Sequence, residues 1–144
     1  VRAKARSNRP NNKEALINQY GNHDGPITTL MICNIPCRVT QEQLALVVDD
    51  LGFSGLYDFL YLPTGGRCSK EAGSSNLGYG FVNFTGAQEA ARFTAAFQNY
   101  QFHGTGSTKV CTVRAAHIQG LAANTQHFSR SPAKHRMRGV FTRP

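Results

Sequence analysis

Eight residues constrain this chain more than any others: Leu77-Gly78-Tyr79-Gly80-Phe81-Val82-Asn83-Phe84. The β-branched and aromatic content predicts a strand over Gly78 to Phe84. Strand side chains alternate between faces, so Tyr79, Phe81 and Asn83 point one way and Val82 and Phe84 the other. Both faces therefore carry large apolar rings. A sheet built around this strand needs one layer to bury Val82 and Phe84 and something flat to meet Tyr79 and Phe81. Gly78 and Gly80 are expected to keep the surface beside those rings low.

The rest of the chain supplies the covering layer. Thr29 to Ile35 is a short β-rich run closed by Pro36. Thr40-Gln41-Glu42-Gln43 has capping-box spacing, and Leu44, Val47, Val48 and Leu51 follow at helical intervals until Gly52. Leu56 to Leu62 is a second strand, stopped by Pro63. A Gly- and Ser-rich loop runs from Thr64 to Asn76. After the Tyr79 strand, Thr85-Gly86-Ala87-Gln88 repeats the capping-box spacing, and Ala90, Phe93 and Phe97 line a second helix. Lys109 to Ala115 alternates as a fourth strand. A short helix is expected from Lys13 to Tyr20, with Asn11 and Glu14 as a weak cap pair, and an extra C-terminal helix from Gly120 to Phe128.

The order β-α-β-β-α-β predicts an α+β, ferredoxin-like fold: a four-stranded antiparallel sheet with two helices on one face. Residues 1–26 are expected to form a basic flexible arm, 27–129 the folded domain with its C-terminal extension, and 130–144 a basic tail. Nine Phe and 40% apolar residues are enough for a core of that size. No apolar run reaches the roughly 20 residues of a membrane span, and no secretory signal opens the chain. The chain begins with Val, which reads as a piece of a longer protein.

The formal charge of +8 is unevenly placed. Residues 1–14 carry +4 and residues 130–144 carry +5, whereas the segment between them carries −1. Basic arms on a neutral body suit a polyanion, because bound Lys and Arg release condensed counterions from phosphates. Solubility or a nuclear import signal would explain them equally well.

Cys33 and Cys37 form C-x₃-C, with Cys68 and Cys111 alone; no second close pair or H-x₃₋₅-H partner completes a zinc site, so no metal is expected and reduced thiols are the default. The five histidines lack metal spacing. No Ser/His/acid set, paired carboxylates or phosphate loop is recognisable, and Gly65-Gly66 lacks the Lys-Ser/Thr such a loop needs. Neither catalysis nor a cofactor is expected.

The octamer Leu77–Phe84 resembles the longer signature of the RNA recognition motif, and Leu30-Met31-Ile32-Cys33-Asn34-Ile35 resembles its shorter partner. The resemblance spans Thr29 to Ala115. Leu77 stands where Lys or Arg usually meets a phosphate, and Met31 where a stacking aromatic usually lies. Together with Tyr57-Asp58-Phe59-Leu60-Tyr61-Leu62-Pro63, Lys109-Val110-Cys111 and His117-Ile118-Gln119-Gly120, these runs resemble the C-terminal motif of Mei-two-like proteins, regulators of meiosis and meristem development. There the Met and the apolar residue before Gly are usual. Phe102 takes the place of a Trp carried by relatives.

That resemblance implies single-stranded RNA as partner, bound on the open sheet face with the basic arms assisting, inside the cell in nucleus or cytoplasm. The residues expected at the interface are Met31, Cys33, Tyr57, Phe59, Tyr61, Tyr79, Phe81, Asn83, Thr112, Arg114, His117 and Gln119. Tyr57, Phe59 and Tyr61 share one strand parity, but a bulge would break it and send one or two of them elsewhere. Arg114 suits a phosphate or a base, with Cys111, Val113 and Ala115 facing the helices. Asn34 is expected to satisfy the turn before Pro36. The alternative is a protein-interaction module whose sheet is covered by the C-terminal helix or used for a peptide partner, with a protein partner engaging the helices or C-terminal extension. Glu42, Asp49 and Asp50 give mild acidity for the latter, but no Arg-x-Phe follows the fourth strand.

Overall fold

A computed structural model describes residues 25–66 and 75–129. The expected Lys13–Tyr20 helix, most of the N-terminal arm, the middle of the Gly/Ser loop and the basic tail lie outside these residues.

The main sheet is built from β1 (Thr29–Cys33), β2 (Tyr57–Tyr61), β5 (Tyr79–Phe84) and β6 (Thr112–Ala115) in the order β2-β5-β1-β6. All three pairings are antiparallel. Two helices, α1 (Gln41–Val48) and α2 (Ala87–Phe97), connect the strands, and α3 (Leu121–Phe128) follows the last one. The ferredoxin-like order anticipated from the sequence is the observed one. Part of the expected Gly/Ser loop pairs instead, as the small ribbon β3 (Thr64–Gly66) and β4 (Ser75–Asn76).

Local chemistry accounts for most boundaries. The Thr40 hydroxyl accepts from Gln43 N–H, and the Gln43 side chain accepts from Thr40 N–H, so both halves of the capping box form. Helix α1 runs into a π-helical turn, Asp49–Phe53, where Gly52 takes φ 102° and ends it. The second proposed capping box does not form: α2 starts at Gly86, which makes no side-chain cap. Thr85 is held otherwise, its N–H donating to Leu56 C=O at the end of the β2–β5 pair.

The core lies between the sheet and α1 and α2. Ile32, Leu44, Val48, Leu60, Val82, Phe93 and Phe97 have no solvent exposure. Phe93 stacks on Phe97, and Phe97 on Tyr100, with centroids 4.9 and 4.7 Å apart. Phe102 closes this end against Tyr100 and Phe97. Burial of such rings is the main term favouring the fold.

Gly80 plays a different part from the one expected. It shares the parity of Val82, so its bare Cα faces the helices rather than the open side. A Cβ there would lie 3.1 Å from Leu62 Cδ1 and 3.3 Å from the Tyr61 carbonyl oxygen. Its hydrogen lets β2 and α1 close on the sheet.

Cys111 is buried, and burial pushes its thiol up from 9.0 to about 11, with nearby Cys33 adding to the rise and Lys109 opposing it. Cys33 and Cys111 are free, while Cys37 is disulfide-bonded, against the expectation of reduced thiols throughout.

Two outcomes follow from this packing. Gly80→Ala should destabilise the domain by about 1–3 kcal/mol through overpacking, read as a lower midpoint in urea; an unchanged midpoint would show that Leu62 yields freely. The neutral Cys111 thiol stabilises the native state below pH 9, and this contribution is lost as pH rises through about 11. Urea midpoints of the parent should therefore fall more steeply between pH 9 and 11 than those of Cys111→Ala, whereas parallel curves would rule the thiol out.

Candidate nucleic-acid interface

The sheet face away from α1 and α2 is organised in cross-strand rows. In one row Phe59, Asn83 and Thr29 are partners in register. In the next, Tyr61, Phe81, Met31 and Arg114 run from β2 to β6. In the third, Tyr79, Cys33 and Thr112 follow. Nine of the expected interface residues, Asn83 among them, thus share one face with Thr29.

Tyr57 does not join them. The β2–β5 register shifts between Tyr57 and Phe59, which leaves Asp58 as an extra residue and reverses the side of the chain before it. Tyr57 is buried among the helix-side core residues, near Phe84, and its hydroxyl donates to Asp49 Oδ1 at 2.8 Å. Its placement on the nucleic-acid face is corrected accordingly.

The Phe59 row is occupied by the protein itself. Helix α3 lies over it and brings Phe128 onto three rings: centroid distances are 4.8 Å to Tyr61, 5.2 Å to Phe81 and 6.0 Å to Phe59. Phe59 and Tyr61 consequently have 0% and 2% exposure although they point to the expected side. Phe128 was not among the residues expected here. The signal was the expected Gly120–Phe128 helix and its alternative role as a cover on the sheet, which did not say which ring would make the contact.

A polar bracket fixes where α3 begins. Asn83 Oδ1 accepts from the hydroxyls of Thr28 and Thr29, and its Nδ2 donates to Asp58. Thr29 Oγ1 accepts from Gly120 N–H and from Asn124 Nδ2. Gln119 Oε1 accepts from the N–H groups of Thr28 and Thr29, while its Nε2 donates to the carbonyls of Thr29 and Ala116. Asn83 and Gln119, both expected at the interface, thus have their amides engaged within the fold.

What remains accessible is a strip running from Tyr79 to Arg114. Tyr79, Phe81, Met31, Cys33, Thr112 and Arg114 are all partly exposed, and His117 is exposed just past β6. Tyr79 and Phe81 meet edge to face at 5.7 Å, and Phe81 is also in contact with Phe128. Arg114 Nε is shielded from solvent and has no hydrogen-bond acceptor among the described residues. A cationic N–H left so is costly, and an acceptor arriving with a ligand would relieve it. Asn34, at φ 65°, holds the edge of the strip, its Nδ2 donating to Val110 C=O at 3.0 Å. Leu77 is exposed beside β5 and offers no cation at that position. Among the described residues no cluster of His, Cys, Asp or Glu has the arrangement of a metal site, and no helix is long and apolar enough to cross a membrane.

Comparison with known proteins agrees with this architecture. The fold is shared with a solved Rna15 domain described as an RRM with bound RNA (GU), at TM-score 0.51 and 18% identity, covering 71% of this chain and 96% of that one. In sequence the chain is similar to Protein MEI2-like 4 of Oryza sativa subsp. japonica, 36% identical over 108 residues. It is similar also to Protein MEI2-like 3 of Arabidopsis thaliana, 37% identical over 108 residues. Each match covers 75% of this chain but only 10% and 13% of the relative, so the chain spans about a tenth of the length of these proteins. The family described as RNA recognition motif 2 matches residues 27–129, and the chain belongs to that family.

Proposed function

We propose that the domain binds single-stranded RNA along the strip from Tyr79 to Arg114, as part of a Mei2-like regulatory protein. The observation that carries this reading is the conjunction of two partly exposed rings with an Arg114 Nε that has no acceptor among the described residues, in neighbouring rows of one sheet face. Membership of an RNA recognition motif family supports the same ligand.

The roles follow from chemistry. Tyr79 and the open part of Phe81 take bases by stacking, which contributes about 1–3 kcal/mol per base and accepts any base. Met31 lies between Phe81 and Arg114 and offers a polarizable apolar contact. Arg114 pairs with a phosphate or the edge of a base, and Thr112 and Cys33 line the path between it and Tyr79. His117 stands where the strand leaves the sheet and can meet the adjoining nucleotide. The arms, +4 and +5, add phosphate contacts that raise affinity and salt dependence without adding sequence choice.

A sheet wholly closed by α3 would instead favour a protein-interaction role. The covering is partial, however: it takes Phe59 and Tyr61 and leaves the Tyr79 row open. RNA is therefore the better reading. Two stacked bases offset only a limited part of the ordering and association costs, so the isolated domain should be a modest binder.

Fluorescence anisotropy with a random single-stranded RNA octamer tests the strip. Tyr79→Ala combined with Arg114→Ala should weaken binding by about 30-fold or more, given the worth of one stacked base and one charge-assisted hydrogen bond. Unaltered affinity would remove the strip as the site. Replacing the ten basic residues of the two arms by Gln should weaken binding and flatten the dependence of log affinity on log salt, because fewer counterions are released. A steep slope that survives this change would place the phosphate contacts on the domain itself.

A further inference from the structure

We infer that the outer face of α1 is a docking surface for residues 136–141 of the chain's own basic tail, and that it competes with RNA for the charge of that tail. The docking does not depend on the Tyr79 strip being the RNA site; the competition rests on it.

Three of the five carboxylates among the described residues, Glu42, Asp49 and Asp50, lie on α1 and the π-helical turn that continues it; Asp58 and Glu89 are the others. Asp49 accepts from the Tyr57 hydroxyl, whereas Glu42 and Asp50 make no ion pair among the described residues. Between them stands Leu46, which at 60% exposure is the most open large apolar side chain described. Glu42, Leu46 and Asp50 recur every four residues and so share one helical stripe, and exposed Leu51 widens it at the far end. The cations around it lie at the margins: Arg38 before the helix, and Arg92 over the Phe53 ring at 5.7 Å.

An apolar side chain left in water between carboxylates is complementary to an apolar side chain set between cations. The tail has that pattern. Residues 134–143 read Lys-His-Arg-Met-Arg-Gly-Val-Phe-Thr-Arg, with four cations, no acid, and Met137, Val140 and Phe141 among them. Phosphate contact accounts for the cations but gives those three apolar residues no part. The N-terminal arm, by contrast, sets no large apolar residue among its cations at 2–13.

The end of α3 makes the reach short. Phe128 lies on Tyr61 and Phe59 of β2, the edge strand of the sheet. The same strand is tied to α1 behind it: Leu62 N–H, just past β2, donates to Gln41 Oε1, and Tyr57 O–H donates to Asp49 Oδ1. Extended, residues 129–135 span roughly 23 Å, against the roughly 10 Å between packed layers. A tether this short gives an effective concentration on the order of millimolar, so a contact too weak to join two molecules is populated within one. A docked tail holds its cations behind the sheet, away from Tyr79, and RNA phosphates must draw them off.

NMR on the 1–144 chain tests the docking. The Leu46 methyls should show contacts with the Phe141 ring or the Met137 methyl, independent of protein concentration and lost in Glu42→Gln combined with Asp50→Gln. Both substituted positions are exposed, and unchanged Phe93 and Phe97 resonances check that the variant is folded. Absence of these contacts in the parent overturns the docking. Contacts that grow with concentration give the face to a second copy's tail and overturn docking within the chain, and contacts that survive in the variant overturn the pairing of charges. Anisotropy with a random RNA octamer tests the competition. Leu46→Gln, which leaves the net charge unchanged, should release the tail and bind the octamer about threefold more tightly than the parent. Equal or weaker affinity overturns the competition. No binding by either protein overturns the RNA reading and the competition together, while the Leu46 contacts still decide the docking.

Discussion

Thr29 is the residue on which the sheet's open face depends. It is fully buried at the start of a central strand, and every polar atom it has is used. Its hydroxyl donates to Asn83 Oδ1 at 2.6 Å and accepts from Gly120 N–H and Asn124 Nδ2. Its own N–H goes to Gln119 Oε1, and its carbonyl accepts from Gln119 Nε2 and Ala116 N–H. One side chain thus joins β1, β5, the segment after β6 and the first turn of α3. Because unpaired buried polar groups are costly, this set is satisfied together or not at all. It determines where the chain turns after β6, and hence which rings of the sheet α3 can reach.

The division of the aromatic face follows from that geometry. With the helix pinned over the Phe59–Asn83–Thr29 row, eight residues at 1.5 Å rise carry its far end about 12 Å along the sheet, toward β2. Phe128 then falls on Tyr61 and Phe81 and stops short of Tyr79. The bulge at Asp58 matters for the same reason: Asp58 accepts from Asn83 Nδ2, which steadies the amide that Thr29 needs, and the shift in register sends Tyr57 to the core. A single irregularity in β2 both removes one ring from the ligand face and supports the bracket that covers two others.

How much of this could be read from the chain depends on the range of the interaction. The capping box at Thr40 and Gln43 spans three residues, and the alternation of Tyr79, Phe81 and Asn83 against Val82 and Phe84 is strictly local; both are found in the structure as the sequence implies. The α3 helix was visible as well, as a run ended by Phe128. The roles of Gln119 and Asn124 were not, because their partner lies about 90 residues away, and an amide in sequence does not show whether it will face a base or a backbone. Gly80 was misjudged for a related reason. Its absence of a side chain is plain in the sequence, but which face profits depends on the parity it shares with Val82 and on the Leu62 methyl opposite.

The covering also accounts for a sheet face that carries more rings than it exposes. Phe59 and Tyr61 left bare would add a large apolar patch to a face already showing Tyr79, Phe81 and Met31, and such patches promote association between copies. Covering them with a segment of the same chain removes that hazard. The cover is slight: one ring at the end of a short helix without a side-chain N-cap, rather than a second layer of core.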